Sequence, residues 1–215
     1  MFCGKIYTQY IIFEGNGKMR VILASKSPRR REILSEYAKD VGFEFDIITR
    51  EVDEHLDGEH PFCGVELLAL KKGAAVAIEY PEALVISSDT LVELDGVALG
   101  KPSDKEEALS MLRALSGRAH NVHTGVAVYY AGKAHSGVAS TAVRFRALSD
   151  AEMMEYVDSG EPMDKAGAYG IQGYAGRFVE GYDGDFDTVV GFSMRLFREL
   201  VREALGDERK LSEDI

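Results

Sequence analysis

An α/β fold, a mixed twisted sheet with flanking helices on both faces, is predicted by three observations. Short apolar strands and amphipathic helices are interleaved without strict alternation. Two long strands follow one another mid-chain, which places an antiparallel pair inside the sheet. The composition, 46% hydrophobic and 28% charged over 215 residues, is that of a globular chain sized for one compact domain or two closely joined lobes.

Taken in order, residues 1–18, with a strand-like Tyr7–Phe13, read as an N-terminal extension. The working domain is expected over 19–205 and a charged, frayed tail over 206–215. Val21–Ala24 is a short buried strand. Pro28 suits the first turn of a helix to about Ala38, where its missing N–H costs no hydrogen bond. Phe43–Ile48 reads as a second strand and 49–62 as a polar loop. Apolar spacing at Val65, Leu68, Ala75 and Val76 predicts a helix over Gly64–Glu79. Leu84–Ser88 is a buried strand, and Leu91–Leu99 a hairpin about Asp95-Gly96, a pair that accepts the positive φ of a tight turn. Ser103-x-x-Glu106 and Ser149-x-x-Glu152 are capping boxes that open helices to about Leu115 and Asp158. Strands Asn121–Tyr130 and Lys133–Ala147 lie between them. The glycine-rich 167–176 stretch precedes a strand near Phe178–Tyr182, and Met194, Phe197, Val201 and Ala204 align on a last helix from Ser193 to about Leu205.

Charge and cysteine content narrow the function classes. With 25 basic and 36 acidic residues the net charge is −11, so nucleic-acid backbone and anionic membrane are repelled unless the basic residues are concentrated. No apolar run reaches the ~18 residues of a membrane span, and the N-terminus lacks a signal-peptide pattern. Cys3 and Cys63 make no disulfide framework. The expectation is a cytoplasmic protein. Cys63 has only His60 nearby to activate it and is not read as a nucleophile.

Five segments could carry chemistry. Ser25-Lys26-Ser27-Pro28-Arg29-Arg30-Arg31 stands at a strand-to-helix junction. Free N–H groups and the positive dipole end of a helix favour an anion there, and guanidiniums match phosphate oxygens. It is not a Walker loop, and a solvated helix face would carry the same residues. Asp89 ends an apolar run, as a metal ligand, a general base or a polar strand terminus would. The hairpin returns Lys101 of Gly100-Lys101-Pro102 towards Asp89. Asp53, in the acidic run Glu51–Glu54, would complete a carboxylate pair of the kind that holds Mg²⁺ with phosphates. In Asp164–Gly173, Gly167, Gly170 and Gly173 permit close backbone approach to a ligand, and the Gln172 amide can read a base edge. His120 and His123 have no metal-spaced partner and read as structural.

Together these segments resemble the Maf family of nucleotide pyrophosphatases. The likeness runs in order through Ile22–Arg30, Ser88-Asp89-Thr90, Gly100-Lys101-Pro102, Leu115–Val122, Glu161–Gly173 and Val189–Gly191. It implies an elongated α/β structure similar to inosine triphosphate pyrophosphatases, with two lobes around a cleft, commonly as a homodimer. It implies a house-cleaning enzyme that cleaves nucleoside triphosphates to monophosphate and pyrophosphate with Mg²⁺ or another divalent metal such as Mn²⁺. By motif, Asp89 matches the proton acceptor, and Ser25, Arg29, Arg30, Lys72 and Lys101 match phosphate-contacting positions. Lys72, Lys101 and Asp89 form the implied catalytic set, with Asp89 and Asp53 the implied metal ligands; family members usually carry Glu at the Asp53 position. Arg29, Thr90 and Gln172 match the branch acting on dTTP and UTP, modified pyrimidine triphosphates included, rather than the branch acting on 7-methyl-GTP. Gly191-Phe192-Ser193 departs from the common Gly-Leu-Pro, and Asp183, Asp185 and Asp187 are more acidic than a triphosphate neighbourhood suggests. Two other readings stay open: a nucleotide-binding regulator of cell division without turnover, and a phosphatase of monophosphates.

Overall fold

The computed structural model describes residues 19–55 and 60–212; the expectations for residues 1–18, 56–59 and 213–215 lie outside them. In chain order the elements are β1 (Val21–Leu23), α1 (Pro28–Val41), β2 (Asp46–Ile47), α2 (Pro61–Ala77), β3 (Leu84–Leu94), β4 (Val97–Leu99), α3 (Lys105–Leu115), β5 (Ala119–Tyr130), β6 (Lys133–Phe145), α4 (Asp150–Asp158), β7 (Val179–Asp183), α5 (Phe186–Val190) and α6 (Met194–Leu205). Short 3₁₀ turns link α4 to β7 and follow α6. The sheet runs β2–β1–β3–β5–β6–β7, with β4 folded back on β3. β1 pairs in parallel with β2 and β3, and the remaining ladders are antiparallel. The mixed α/β sheet with flanking helices is therefore the fold of this chain.

Period-two alternation sorts the core. Val21, Leu23, Leu84 and Ile86 face Leu34 of α1 and Phe197, Leu200 and Val201 of α6. The intervening Ile22 and Val85 face Val76 of α2. Farther along β3, Val92 and Leu94 join α3 and α4 through Leu112, Leu115, Met153 and Tyr156. Two apolar clusters thus hold the two ends of β3. Its polar middle, Ser87–Thr90, lies between them.

Helix α2 lies unusually close to the sheet. A Cβ on Gly73 would stand 2.6 Å from Ser87 Oγ and 2.6 Å from the Tyr129 ring, and one on Gly125 would stand 2.5 Å from the Val65 carbonyl oxygen. Only glycine fits at either position. The Ser87 hydroxyl donates to the Ala69 carbonyl at 2.7 Å and Tyr129 Oη to that of Leu70 at 2.9 Å, which fixes the helix on the strands. Lys72 is thereby carried over the middle of β3.

Several boundaries differ from expectation. The buried strand and the first arm of the hairpin form one eleven-residue strand, Leu84–Leu94, so Asp89 lies mid-strand opposite Gly125 and not at a strand end. The polar run stays in the ladder because each side chain has a partner. Only Asp46–Ile47 of the second strand pairs; the Phe43 N–H instead closes α1 on the Ala38 carbonyl, and its ring enters the core. Asp104, not Ser103, caps α3 through the Glu107 N–H, while Ser103 donates its N–H and hydroxyl to the Glu107 carboxylate. The Ser149–Glu152 capping box forms as expected. The short helix α5 was not expected. The tail is ordered through Ser212: Leu211 is 2% exposed, and Glu208 binds Arg198, Arg202 and Tyr37.

Candidate functional site

A cleft of about 1080 Å³ opens at the polar middle of β3. Its wall takes in Ser25, Arg29 and Arg30 from the start of α1, Lys72 from α2, Asp89 and Thr90 from β3, Lys101 from the turn after β4, and Gln172 from the glycine-rich segment. Lys26, Arg50 and Lys165 add cations; Glu51, Glu54, Glu161 and Asp164 add acids. The residues singled out from the sequence therefore largely meet in one place; Arg31, Gly167 and Asp53 are outside the lining. Asp53 is not among the lining residues: its Oδ1 accepts the backbone N–H of His55 at 2.9 Å, closing an Asx turn that keeps it in the loop. The neighbouring Glu54 enters instead.

At the centre, the Lys72 ammonium donates to Asp89 Oδ1 at 2.5 Å and pairs with Glu54 Oε1 at 2.8 Å. Asp89 is nearly buried, its side chain 11% exposed. Burial disfavours the Glu54 carboxylate, but Lys72, Lys101 and Arg30 outweigh it and hold the group below its ordinary pKa. Lys101 acts on Glu54 through the cleft and forms no hydrogen bond or ion pair among the described residues. Asp89 and Glu54 thus present hard oxygen donors to one spot. Among the described residues no group of three or more His, Cys, Asp or Glu is placed to hold a metal alone. Two carboxylates fit an ion that takes its remaining ligands from water and phosphate, as Mg²⁺ commonly does.

Arg30 and Arg29 have different surroundings. The Arg30 Nε donates to the Gly191 carbonyl at 2.8 Å, its Nη1 to Ser25 Oγ at 3.3 Å and its Nη2 to Thr90 Oγ1 at 3.1 Å. Ser88 Oγ donates to the same Gly191 carbonyl at 3.0 Å, and Thr90 Oγ1 shares a hydrogen bond with Thr124 Oγ1. Burial lowers the Arg30 pKa, opposed chiefly by Asp89. Arg30 is a strut joining α1, β3 and the turn after α5. The Arg29 guanidinium has no hydrogen bond to the protein among the described residues; with Lys26 and Lys101 it lines the cleft and can meet an anion. Its charge reaches Asp164 on the opposite wall, where burial of that carboxyl is outweighed by Lys165 and Arg29 and its pKa falls.

The glycine-rich segment packs first against its own chain. A Cβ on Gly167 would meet Val92 at 2.8 Å, one on Gly170 the Lys165 stem at 2.7 Å, and one on Gly173 the Glu161 carboxylate at 2.0 Å. Gly170 and Gly173 also line the cleft. Asp185 and Asp187 are spoken for elsewhere: Asp185 pairs with Arg195, and Asp187 Oδ2 accepts the Met194 N–H at the start of α6. Sequence reasoning assigned no role to the Gly191 carbonyl, Lys165 or Glu161. Of these only Lys165 and Glu161 carry a side-chain signal, and both stood inside the motif already noted.

A mixed α/β sheet with a cation-lined crevice, holding a lysine-bridged carboxylate pair in an otherwise acidic molecule, defines a protein suited to a polyanionic ligand accompanied by a cation. The chain belongs to the family of Maf-like proteins, whose model matches residues 20–204. It is 48% identical over 188 residues to the dTTP/UTP pyrophosphatase of Thermococcus gammatolerans, spanning 86% of this chain and 98% of that protein. It is 47% identical over 176 residues to the dTTP/UTP pyrophosphatase of Symbiobacterium thermophilum (81% and 89%), and 43% identical over 185 residues to that of Aquifex aeolicus (86% and 95%). The solved Staphylococcus aureus Ham1 protein overlays loosely, with a TM-score of 0.43 and 16% identity over 59% of this chain and 71% of that one. Among the described residues no helix is long and apolar enough to cross a membrane.

Proposed function

We propose that this protein is a nucleoside triphosphate pyrophosphatase that converts dTTP and UTP, or their modified counterparts, to the monophosphate and pyrophosphate. The observation that carries the reading is the placement of Asp89, bound to Lys72, in the same cleft as Arg29, Lys101 and Gln172. The names of relatives at 43–48% identity support the same substrates.

In this reading Asp89 Oδ2, which has no protein partner among the described residues, orients a water and takes its proton as the water oxygen bonds to the α-phosphorus. The α–β bridging bond breaks and pyrophosphate leaves. Lys72 holds Asp89 turned towards the cleft. Arg29, Lys26 and Lys101 offset the triphosphate's charge as it redistributes. Arg30 holds Ser25 and Thr90 in place, and Gln172 reads the base edge. Asp89 and Glu54 would hold a divalent cation, Mg²⁺ or Mn²⁺, together with phosphate oxygens; when bound, it supplies further charge neutralisation at the α-phosphate. Glu54 takes the place that the sequence pointed to in Asp53. The family likeness, with the low cysteine content, supports a cytoplasmic homodimer acting on free nucleotide rather than nucleic acid.

Product analysis tests the proposal. Purified protein with dTTP or UTP and Mg²⁺ is expected to release pyrophosphate and no orthophosphate, and chelation of the metal to stop it. Tight nucleotide binding without turnover would favour a regulator; orthophosphate release from monophosphates would favour a phosphatase.

A further inference from the structure

His120 is a buried titratable group that this chemistry does not use. It is 4% exposed on β5, and its ring meets Phe145 and Tyr169 edge-on with centroids 5.0 and 5.4 Å apart. Its Nε2 lies 2.8 Å from Tyr169 Oη, while Nδ1 is buried with no partner. Burial pushes the ring's pKa down to about 4, so it is neutral near physiological pH. A neutral imidazole and a phenol carry two polar hydrogens between them and share one hydrogen bond. Whichever of the two donates, this hydrogen bond is the one polar contact that either side chain makes among the described residues.

Tyr169 also belongs to the cleft wall, and it begins the stretch that leads to Gln172. That stretch is tied down on either side. The Gly167 N–H donates to the Gly100 carbonyl at 3.0 Å, next to Lys101, and the Gly170 N–H donates to Tyr156 Oη at 3.3 Å. Ala168 is held between them at a φ of +57°, a conformation that a residue with a Cβ adopts only when its surroundings impose it. Phe145 and Tyr169 pack at 4.8 Å, so the histidine's hydrogen bond is the polar lock of an otherwise apolar contact.

We infer that His120 is a positioning residue: through the hydrogen bond between its Nε2 and Tyr169 Oη, it fixes the turn that presents Gln172 to the nucleotide base and so sets the enzyme's preference among bases. The inference rests on the pyrophosphatase reading above.

Two readouts test it. Nitrogen-edited NMR of the intact protein should show a neutral His120 ring whose Nε2 is hydrogen-bonded and whose Nδ1 is not. In kinetics, Tyr169→Phe should raise KM for dTTP about five- to tenfold, the loss of one ordinary hydrogen bond. It should lower the preference for dTTP over dGTP by a similar factor, with kcat moving less than KM. His120→Gln, whose amide can donate from near the Nε2 position, should retain most of the preference, and His120→Leu should lose it. A charged His120 ring, or an Nε2 without a hydrogen bond, overturns the inference. So does a Tyr169→Phe protein with lowered melting temperature but undiminished dTTP preference, the mark of a merely structural contact. Absence of pyrophosphate release by the unsubstituted protein overturns the function itself and this inference with it; an active parent whose Tyr169→Phe variant keeps full preference overturns this inference alone.

Discussion

The chemistry turns on which oxygen atoms face the Lys72 ammonium. Asp89 and Glu54 do, and Asp53 does not. Asp89→Asn keeps the shape and removes the proposed proton acceptor, so turnover is expected to fall by about 10²–10³ or more while nucleotide binding, measured by calorimetry, largely persists. Retained turnover would remove Asp89 from the mechanism. The adjacent acids give a paired comparison: Glu54→Gln is expected to raise the Mg²⁺ concentration needed for half-maximal rate, and Asp53→Asn to leave it nearly unchanged, in a metal titration of both variants. The sequence could place an acidic run near the site but not choose between neighbours. A carboxylate one methylene shorter is captured by its own loop's N–H, while the longer one reaches the lysine, and that choice depends on backbone turns that residue identity does not fix. His120 gives a pH signature. Its pKa is lowered from 6.5 to about 4 in the folded protein, so the unfolded chain binds the proton more readily. Stability is full above the unfolded value and declines as pH falls from about 6.5 towards about 4. The urea midpoint of the parent should drop more across that window than the midpoint of His120→Gln; equal slopes would contradict the burial of a neutral ring.

At the level of elements, the site depends on how closely α2 lies on the sheet. Gly73→Ala would drive a methyl into Ser87 and Tyr129, so it is expected to destabilise by about 1–3 kcal/mol and to lower turnover as well, because Lys72 is the preceding residue. Chemical denaturation and rate assays on one preparation check both effects; lost stability with full activity would mean that the helix does not position the lysine. The C-terminal turn is part of the fold: Leu211 packs with Phe197, Val201 and Leu205, and Leu211→Ala should cost about 2–5 kcal/mol in the same denaturation assay. The Ser149 cap and the hairpin turn at Asp95-Gly96 were readable because they are local signals, whereas at α3 the neighbouring Ser103 and Asp104 both suit a cap and the folded turn selects Asp104. The tail was not, since a charged segment with one leucine looks solvated until the arginines of α6 and Tyr37 are folded next to Glu208. The polar run Ser87–Thr90 looked like a strand end for a similar reason: its partners, Ala69, Gly191, Lys72 and Thr124, come from distant parts of the sequence.

For the whole molecule, the separation of charge matters most. A chain of net charge −11 collects Lys26, Arg29, Lys72 and Lys101 around one cleft between two apolar clusters at the ends of β3. The concentration of basic residues was visible in the motifs; the antiparallel return of β5 that completes the wall was visible only as two long strands. In the proposed function this cleft directs water to the α-phosphorus of a pyrimidine triphosphate. The most direct measurement is hydrolysis of dTTP in heavy-oxygen water with Mg²⁺, followed by mass spectrometry of both products. Labelled thymidine monophosphate and unlabelled pyrophosphate are expected; label in the pyrophosphate, or orthophosphate as the product, would rule out attack at the α-phosphorus.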